Sequence, residues 1–391
     1  MKHIAITGTN GKTSTLVLAH QLLNASGNSV ASLGTLGLKI EDVLEDEPVL
    51  MGDRPMEAFL EELHYFHDVD AFLFEAYSVA LANGKYDGIP IDVALLTNLD
   101  ADHLDVHKNI EAYRAAKYHL FQKLLKPNGT AVCWENDSAA HIIKGICAER
   151  GCRLVSFGTD TSATLRLLKS TKSKKGTEVL LQYHQLKCHA TVPFVGKPYI
   201  NNWMGALLLC LELGLPMEFL LKKSETLTLP KGRAEVVAQC QGGAVVVDYA
   251  NNPAALCTTL TWAREQYPGT VHLVFGGSGN HKSYQRKEMA ETAQLLADVV
   301  YITDDNPREE PPQDIRKQLS LHCPKGLVVA GRSQAIHKAI KALQPGDVLL
   351  ITGKGHETHQ EINYTLKPHN DKTVVQAYLH SIQMDKAITH Y

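Results

Sequence analysis

The sequence predicts an α/β protein in two parts: a P-loop (phosphate-loop) domain with a mostly parallel sheet, then a second α/β domain. Three observations predict it. Short β-branched runs alternate with helix-like stretches, the pattern of strand–helix–strand units that cover a parallel sheet. A Gly-rich loop, Gly8-Thr9-Asn10-Gly11-Lys12-Thr13-Ser14, follows the first strand and opens the first helix, the context a phosphate-gripping loop needs. The alternation pauses near Thr226–Gly232 and then restarts, as two domains in 391 residues would require.

The first domain, residues 1–229, takes strands at His3–Thr7, Ala71–Glu75, Val93–Thr97, Gly129–Cys133 and Arg153–Phe157. Helices are predicted at Thr13–Asn24, Met56–His67 and Glu111–Leu124. Residues 160–193 are Thr/Lys-rich and then alternate in polarity, which predicts an antiparallel hairpin appended to the main sheet. The second domain, residues 230–391, takes strands at Ala244–Asp248, Thr270–Phe275, Val299–Thr303, Gly326–Val329 and Val348–Thr352. Helices such as Ser283–Leu296 and Ser333–Leu343 lie between them.

A hydrophobic content of 44% suffices for sizeable cores. Lys and Arg number 39 against 42 Asp and Glu, a net charge of −3. Nucleic-acid binding needs a basic surplus or stripe, so it is excluded as the main role. No apolar run approaches the roughly 18–20 residues that cross a bilayer, and the N-terminus has no signal-peptide pattern. A cytoplasmic location with no membrane partner is the expectation. The eight cysteines form no C-x-x-C pair; scattered thiols of this kind read as small buried hydrophobes rather than a zinc site.

In the Gly-rich loop, glycines let backbone N–H groups turn towards phosphate oxygens, and the helix N-terminus adds partial positive charge. Lys12 can reach the β- and γ-phosphates, and the Thr13 hydroxyl can ligate Mg²⁺. The usual spacing asks for Gly at position 6, where Ile6 stands. Such a loop predicts a nucleotide but no reaction. Glu75 ends a hydrophobic strand, where a solvated rim residue is the plain reading and a metal-binding carboxylate the sharper one. Asp100, Asp102, His103 and Asp105 cluster in one loop, and Lys117 lies on a helix with Tyr113 and Arg114. Taken singly, these are capping or surface residues.

Together the pieces resemble the Mur ligase family, closest to its MurE-type members. The ordered segments are Gly-Thr-Asn-Gly-Lys-Thr, Glu75-Ala-Tyr-Ser-Val-Ala-Leu81, Thr97-Asn-Leu, Asp102-His-Leu-Asp-Val-His107 and Tyr113-Arg-Ala-Ala-Lys117. Gly232-Arg-Ala-Glu235, Asp248-Tyr-Ala-Asn-Asn-Pro253, Asp305-Asn-Pro-Arg308 and Gly353-Lys-Gly-His-Glu357 follow. The resemblance implies a central ATP-binding domain and a C-terminal Rossmann-like domain. It implies an ATP-dependent ligase that turns a carboxylate into an acyl-phosphate, which an amine then captures. Gly8, Thr9, Asn10, Gly11, Lys12, Thr13 and Ser14 would hold ATP, with Asn201 on adenine, Asp248 on ribose and Arg233 reaching towards the phosphates. Two Mg²⁺ ions would be held by Thr13, Glu75, His103 and Lys117, the lysine carrying a carbamate derived from CO₂. Such a carbamate turns a cation that repels metals into an oxygen ligand.

The intact Asp-Asn-Pro-Arg motif marks family members that take meso-diaminopimelate. Arg286, Asp305, Asn306, Arg308, Gly353 and Glu357 would contact that amino acid, with Arg308 on its distal carboxylate, a partner that guanidinium geometry suits.

Several positions depart from the family pattern. The phosphate loop starts at residue 8, so the domain that grips uridine diphosphate is expected to be absent and the acyl donor to be smaller than a nucleotide-linked peptide. Val79 and Asn251 stand where the family has histidines, and Gly52–Pro55 and Ser278–Lys282 are altered. Three other readings compete: a cyanophycin- or folylpolyglutamate-like ligase using another amino acid, an ATP-binding subunit that depends on an unidentified protein partner, and a plain ATPase. The first conflicts with the intact Asp-Asn-Pro-Arg motif, and the second with retention of Lys12, Glu75, His103 and Lys117. The third leaves the second domain's amino-acid contacts unexplained.

Overall fold

The first strand in sequence is the centre of the first sheet. A computed structural model describes residues 1–44, 55–280 and 283–388, and in it Lys2–Thr7 lies between Ala71–Glu75 and Ile91–Leu96, parallel to both. Ile4, Ala5 and Ile6 are completely buried, as a strand covered on both faces requires. Leu125–Trp134 and Arg153–Gly158 extend the parallel run on one side, and Val30–Gly34 extends it on the other. Both edges turn antiparallel. Among the described residues this sheet has 11 strands.

The expected hairpin over 160–193 is a three-stranded meander, Leu165–Ser173, Gly176–Tyr183 and Leu186–Val192. Ser173–Gly176 and Tyr183–Leu186 each make a tight turn, so the same stretch of chain folds twice. Its first strand joins Arg153–Gly158 in parallel at Phe157 and Gly158. The helix expected over 111–124 is α-helical from Ile110 to His119 and π-helical from Leu120 to Leu124. Asn109 caps it by accepting a 2.8 Å hydrogen bond from the Ala112 N–H.

Helix Lys12–Asn24 packs against helix Lys197–Glu212, whose interior residues from Trp203 to Cys210 are all buried. The Trp203 indole N–H donates to Ser224 Oγ at 2.8 Å, which satisfies the one polar atom of that buried ring.

The chain divides between Leu229 and Pro230. The second unit holds a six-stranded sheet in the order Glu235–Cys240, Gly243–Asp248, Val348–Thr352, Val271–Phe275, Val299–Ile302 and Leu327–Val328. All neighbours except the first pair run parallel. The loops after Asp248, Phe275, Ile302 and Thr352 therefore leave from one end of the sheet, the carboxyl end where open α/β sheets bind ligands. A separate hairpin, His359–Ile362 with Thr365–Pro368, follows the last of these loops. Among the described residues no helix is long and apolar enough to cross a membrane. The altered positions Gly52, Asp53, Arg54, His281 and Lys282 lie outside the described residues.

Candidate active site

The loop Gly8–Gly11 leaves the central strand and is tied to the end of its neighbour. The Thr97 hydroxyl donates to Asn10 O at 2.6 Å, and the Asn98 amide donates to the same oxygen at 2.9 Å. The Asn10 N–H returns a bond to Asn98 Oδ1 at 2.9 Å. Thr9 Oγ1 contacts Asp100 O at 3.0 Å and Tyr113 Oη at 2.9 Å. Gly11 sits at φ 86°, and a Cβ there would stand 2.4 Å from Asn202 Oδ1. Only glycine fits both the backbone angle and the neighbour. Ser14 is buried in the first turn of the helix that follows.

Two lysine side-chain nitrogens meet at one carbonyl. Lys12 Nζ donates to Gly8 O and Thr9 O, both at 2.9 Å, and Lys117 Nζ donates to Gly8 O at 2.9 Å. Lys117 is fully buried because Tyr113, Ala116 and Lys117 share the inward face of one helix at i, i+3 and i+4. Its Nζ also lies 4.8 Å from the centre of the Tyr113 ring. Burial pushes the Lys117 pKa well below the ordinary lysine value; Lys12 pushes it the same way and Asp102 opposes.

Glu75 ends its strand against Thr13, the residue after Lys12. Its Oε1 accepts from the Thr13 hydroxyl at 2.9 Å and the Thr35 N–H at 2.8 Å, while Oε2 accepts from Thr35 Oγ1 at 3.1 Å. Thr35 Oγ1 lies 3.1 Å from Tyr77 Oη. His103 has a left-handed backbone (φ 52°) and a half-exposed ring 3.9 Å from Asp102 Oδ2. Its ring centre is 6.4 Å from that of Tyr113, so His103 and Lys117 both neighbour one aromatic ring. His107 contacts the buried Ser78 hydroxyl at 3.0 Å. Among the described residues no three His, Cys, Asp or Glu side chains converge as a self-sufficient metal cage. Thr13 and Glu75 are an oxygen-only partial set, which suits an ion that also takes phosphate oxygens, the habit of Mg²⁺.

In the second unit, Asp305, Asn306, Arg308, Gly353 and Glu357 come together. The Asn306 amide donates to Glu357 Oε2 at 3.0 Å. The buried Lys354 bridges them, donating to Asn306 Oδ1 at 2.9 Å and to Glu357 Oε2 at 2.7 Å. Gly353, at φ 106°, leaves no room for a Cβ, which would fall 2.2 Å from Asp305 Oδ2. Burial raises the Asp305 carboxyl pKa, against the pull of Arg332 and Lys354. Arg308 donates through Nε to Glu361 Oε2 at 2.9 Å and through Nη1 to Gly279 O at 2.9 Å. Arg286 is 2% exposed and already engaged: it donates to both Glu310 oxygens at 2.7 and 2.8 Å, to Gln318 and to Ser278 O.

Asp248 is buried, and burial raises its pKa. Its oxygens accept from the Ala234 N–H at 2.7 Å, the Ala250 N–H at 2.8 Å and the Thr259 hydroxyl at 3.3 Å. It thus organises the loops on either side of it. Arg233 lies 4.3 Å from the Tyr249 ring centre, a cation–π contact. Asn201 is half-buried on its helix, and it is the next residue, Asn202, whose amide faces the phosphate loop.

Sequence reasoning missed Thr35, Asn202, Lys354, Glu310 and Glu361. The Gly34–Thr35 pair and the doubled Asn201-Asn202 were available signals; the two glutamates carry none.

The family model for the Mur ligase middle domain matches residues 6–210, and that for the Mur ligase glutamate ligase domain matches 232–355. The UDP-N-acetylmuramoyl-L-alanyl-D-glutamate--2,6-diaminopimelate ligase of Zymomonas mobilis is 34% identical over 379 residues, 95% of this chain and 77% of that protein. The ligase of the same name from Agrobacterium fabrum is 33% identical over 387 residues, 98% of this chain and 78% of that one. A solved ligase of that name superposes with a TM-score of 0.68 at 28% identity, over 98% of this chain and 79% of its own. Folylpolyglutamate synthase of Mycobacterium tuberculosis superposes with a TM-score of 0.71 at 15% identity, over 90% and 88%, which is likeness of fold alone.

Proposed function

The chain belongs to the Mur ligase family, and from that premise we propose that it joins a carboxylate substrate to meso-diaminopimelate, or to a closely similar diamino dicarboxylic acid. It is an ATP-dependent, divalent-metal-using amide-bond ligase acting on small molecules. The observation that carries the proposal is the convergence of Lys12 and Lys117 on Gly8 O, with Thr13 on Glu75 alongside. These residues are up to 109 positions apart, and ATP chemistry explains why one place needs them all.

The reaction has two steps. A carboxylate oxygen attacks the γ-phosphorus and ADP leaves; the amine nitrogen then attacks the acyl carbon, phosphate leaves and the ammonium proton passes to solvent. Lys12 and the loop N–H groups hold the triphosphate and meet charge that builds on the transferred group. Thr13 and Glu75 would hold one magnesium ion, and His103 and Lys117 a second, and ions held there would supply positive charge to neutralise the phosphates. Lys117 serves as a carbamate: its neutral amine adds to CO₂, a C–N bond forms and one proton is released, giving an anionic oxygen ligand. Its burial supports this, because a depressed pKa supplies the neutral amine that CO₂ requires. Arg308 meets the distal carboxylate of the amino acid, and Glu357 its distal ammonium. The matching names of the 32–34% identical relatives support that substrate.

The test is phosphate release from ATP with a panel of carboxylates, both UDP-linked and free peptides, against meso-diaminopimelate, L-lysine and L-glutamate. Release should require a carboxylate and an amine together, with diaminopimelate preferred, and should fall in bicarbonate-depleted buffer. Release that needs neither substrate, or that prefers glutamate, sinks the proposal.

A further inference from the structure

Glu361 engages the guanidinium of Arg308. Its Oε2 accepts from Arg308 Nε at 2.9 Å. The backbone around it is pinned: the Arg308 N–H donates to Glu361 O at 3.0 Å, the Asn363 N–H to Arg308 O at 2.8 Å, and the Glu361 N–H to Asn306 Oδ1 at 3.0 Å. Gln360 adds a 2.8 Å bond from its amide to Asp305 O. The hairpin strand therefore stays on the Asp305–Arg308 loop whatever the Glu361 side chain does. That side chain is 36% exposed and Arg308 26% exposed, so the pair can part by a rotation into water.

We infer that Glu361 is an internal rival of the substrate's distal carboxylate for Arg308, and so sets how strongly the site separates a diamino dicarboxylic acid from a diamino monocarboxylic one. The inference rests on the reading of Arg308 given above. A guanidinium that already holds a carboxylate attracts a second one less, and an incoming carboxylate must displace or share the first. A ligand without a distal carboxylate meets no such competition. The pairing also keeps Arg308 neutralised in the absence of ligand, as Glu310 does for Arg286.

The test is equilibrium binding of meso-diaminopimelate and of L-lysine to the full chain with Mg²⁺ and a non-hydrolysable ATP analogue, for the unmodified protein, Glu361→Gln and Arg308→Ala. Glu361→Gln is nearly isosteric and keeps every backbone bond of the hairpin; a melting curve checks that it folds. It should bind diaminopimelate about fivefold more tightly, the scale of a half-exposed ion pair, and leave L-lysine affinity unchanged. Arg308→Ala should weaken diaminopimelate and spare L-lysine. If Arg308→Ala behaves so but Glu361→Gln binds diaminopimelate equally or more weakly, Glu361 is not a rival but a support for Arg308, and the inference is overturned. If Arg308→Ala weakens both amino acids alike, the Arg308 reading itself falls and takes the inference with it.

Discussion

In the first unit Lys12 and Lys117 donate to the carbonyl oxygens of Gly8 and Thr9, whereas in the second Arg286, Arg308, Arg332 and Lys354 each donate to a carboxylate. A carbonyl dipole orients an ammonium without cancelling its charge; a carboxylate cancels it. The first arrangement suits a ligand with several negative charges, the second a zwitterion whose charges must be matched one by one. The difference also assigns different costs. Removing a cation held by carbonyls should harm chemistry and spare the fold. Removing one held by a buried carboxylate should harm the fold, because the carboxylate stays behind without its guanidinium.

The largest effect is expected at Lys12. Lys12→Met should lower ATP turnover about ten-thousandfold, the scale on which a phosphate-charge stabiliser acts, while the melting temperature stays close to that of the parent. Turnover and a thermal scan of the same preparation check both halves. A variant that melts early would mean that Lys12 supports the loop structurally, and the contrast between the units would fail.

Arg332 is the counterpart. Its Nε and Nη2 donate to the two Asp371 oxygens at 2.7 Å each, Nη2 also reaches Thr352 O at 2.8 Å, and both side chains of the pair are 0% exposed. Arg332→Met should destabilise the second unit by about 3 kcal/mol, the low end of the cost of breaking a buried pair, because His369 Nε2 still lies 2.9 Å from Asp371 Oδ1. ATP affinity should hold. Denaturant unfolding together with a nucleotide titration reads the two effects, and a variant that loses ATP binding at parental stability would reverse the assignment.

How much of this was legible in the sequence follows the same division. The phosphate loop was readable because a Gly-Lys-Thr turn after a strand is a local pattern, whereas Glu75, a strand-end glutamate that alone reads as a rim residue, was readable only through resemblance. Lys117 was readable only through resemblance, since an isolated helical lysine reads as solvated; the tertiary fold turns the Tyr113 face inward and carries the lysine with it. The second unit's motifs were found, but not the carboxylates that answer them. Glu310 and Glu361 are ordinary glutamates in sequence, and their roles arise from a helix and a hairpin packing beside the 305–308 loop. Arg286 was expected to meet the substrate, yet its guanidinium is engaged by Glu310, so a ligand would have to displace that carboxylate first. Asn201 was placed on adenine through the resemblance alone, and that its helix neighbour Asn202 faces Gly11 is visible only in the fold. The meander was read as a hairpin because polarity alternation does not count turns.

Acid should separate the units by a smaller margin. His20 in the first unit is 1% exposed, its Nε2 lies 2.6 Å from Glu41 O, and burial lowers its pKa from 6.5 to about 4. Between those values the unfolded chain binds a proton that the folded chain refuses, so stability falls as pH drops from 6.5 and the loss is complete near 4. The full loss is about 3 kcal/mol, at roughly 1.4 kcal/mol per pH unit. In the second unit Arg332 holds the Asp371 pKa well below the ordinary carboxylate range, so that pair keeps its contribution throughout this window and loses it only at lower pH. Burial raises the pKa values of Asp248, Asp304 and Asp305, and carboxyls of that kind gain stability as pH falls. His337, half-buried near Lys341, pulls the other way. Hydrogen exchange from pH 7 to 4.5, resolved by unit, should therefore show opening of the first unit rising faster than that of the second. His20→Gln retains a donor for Glu41 O and removes the titration, so it should flatten the first unit's response; equal slopes in both units, untouched by that substitution, would place the acid sensitivity elsewhere.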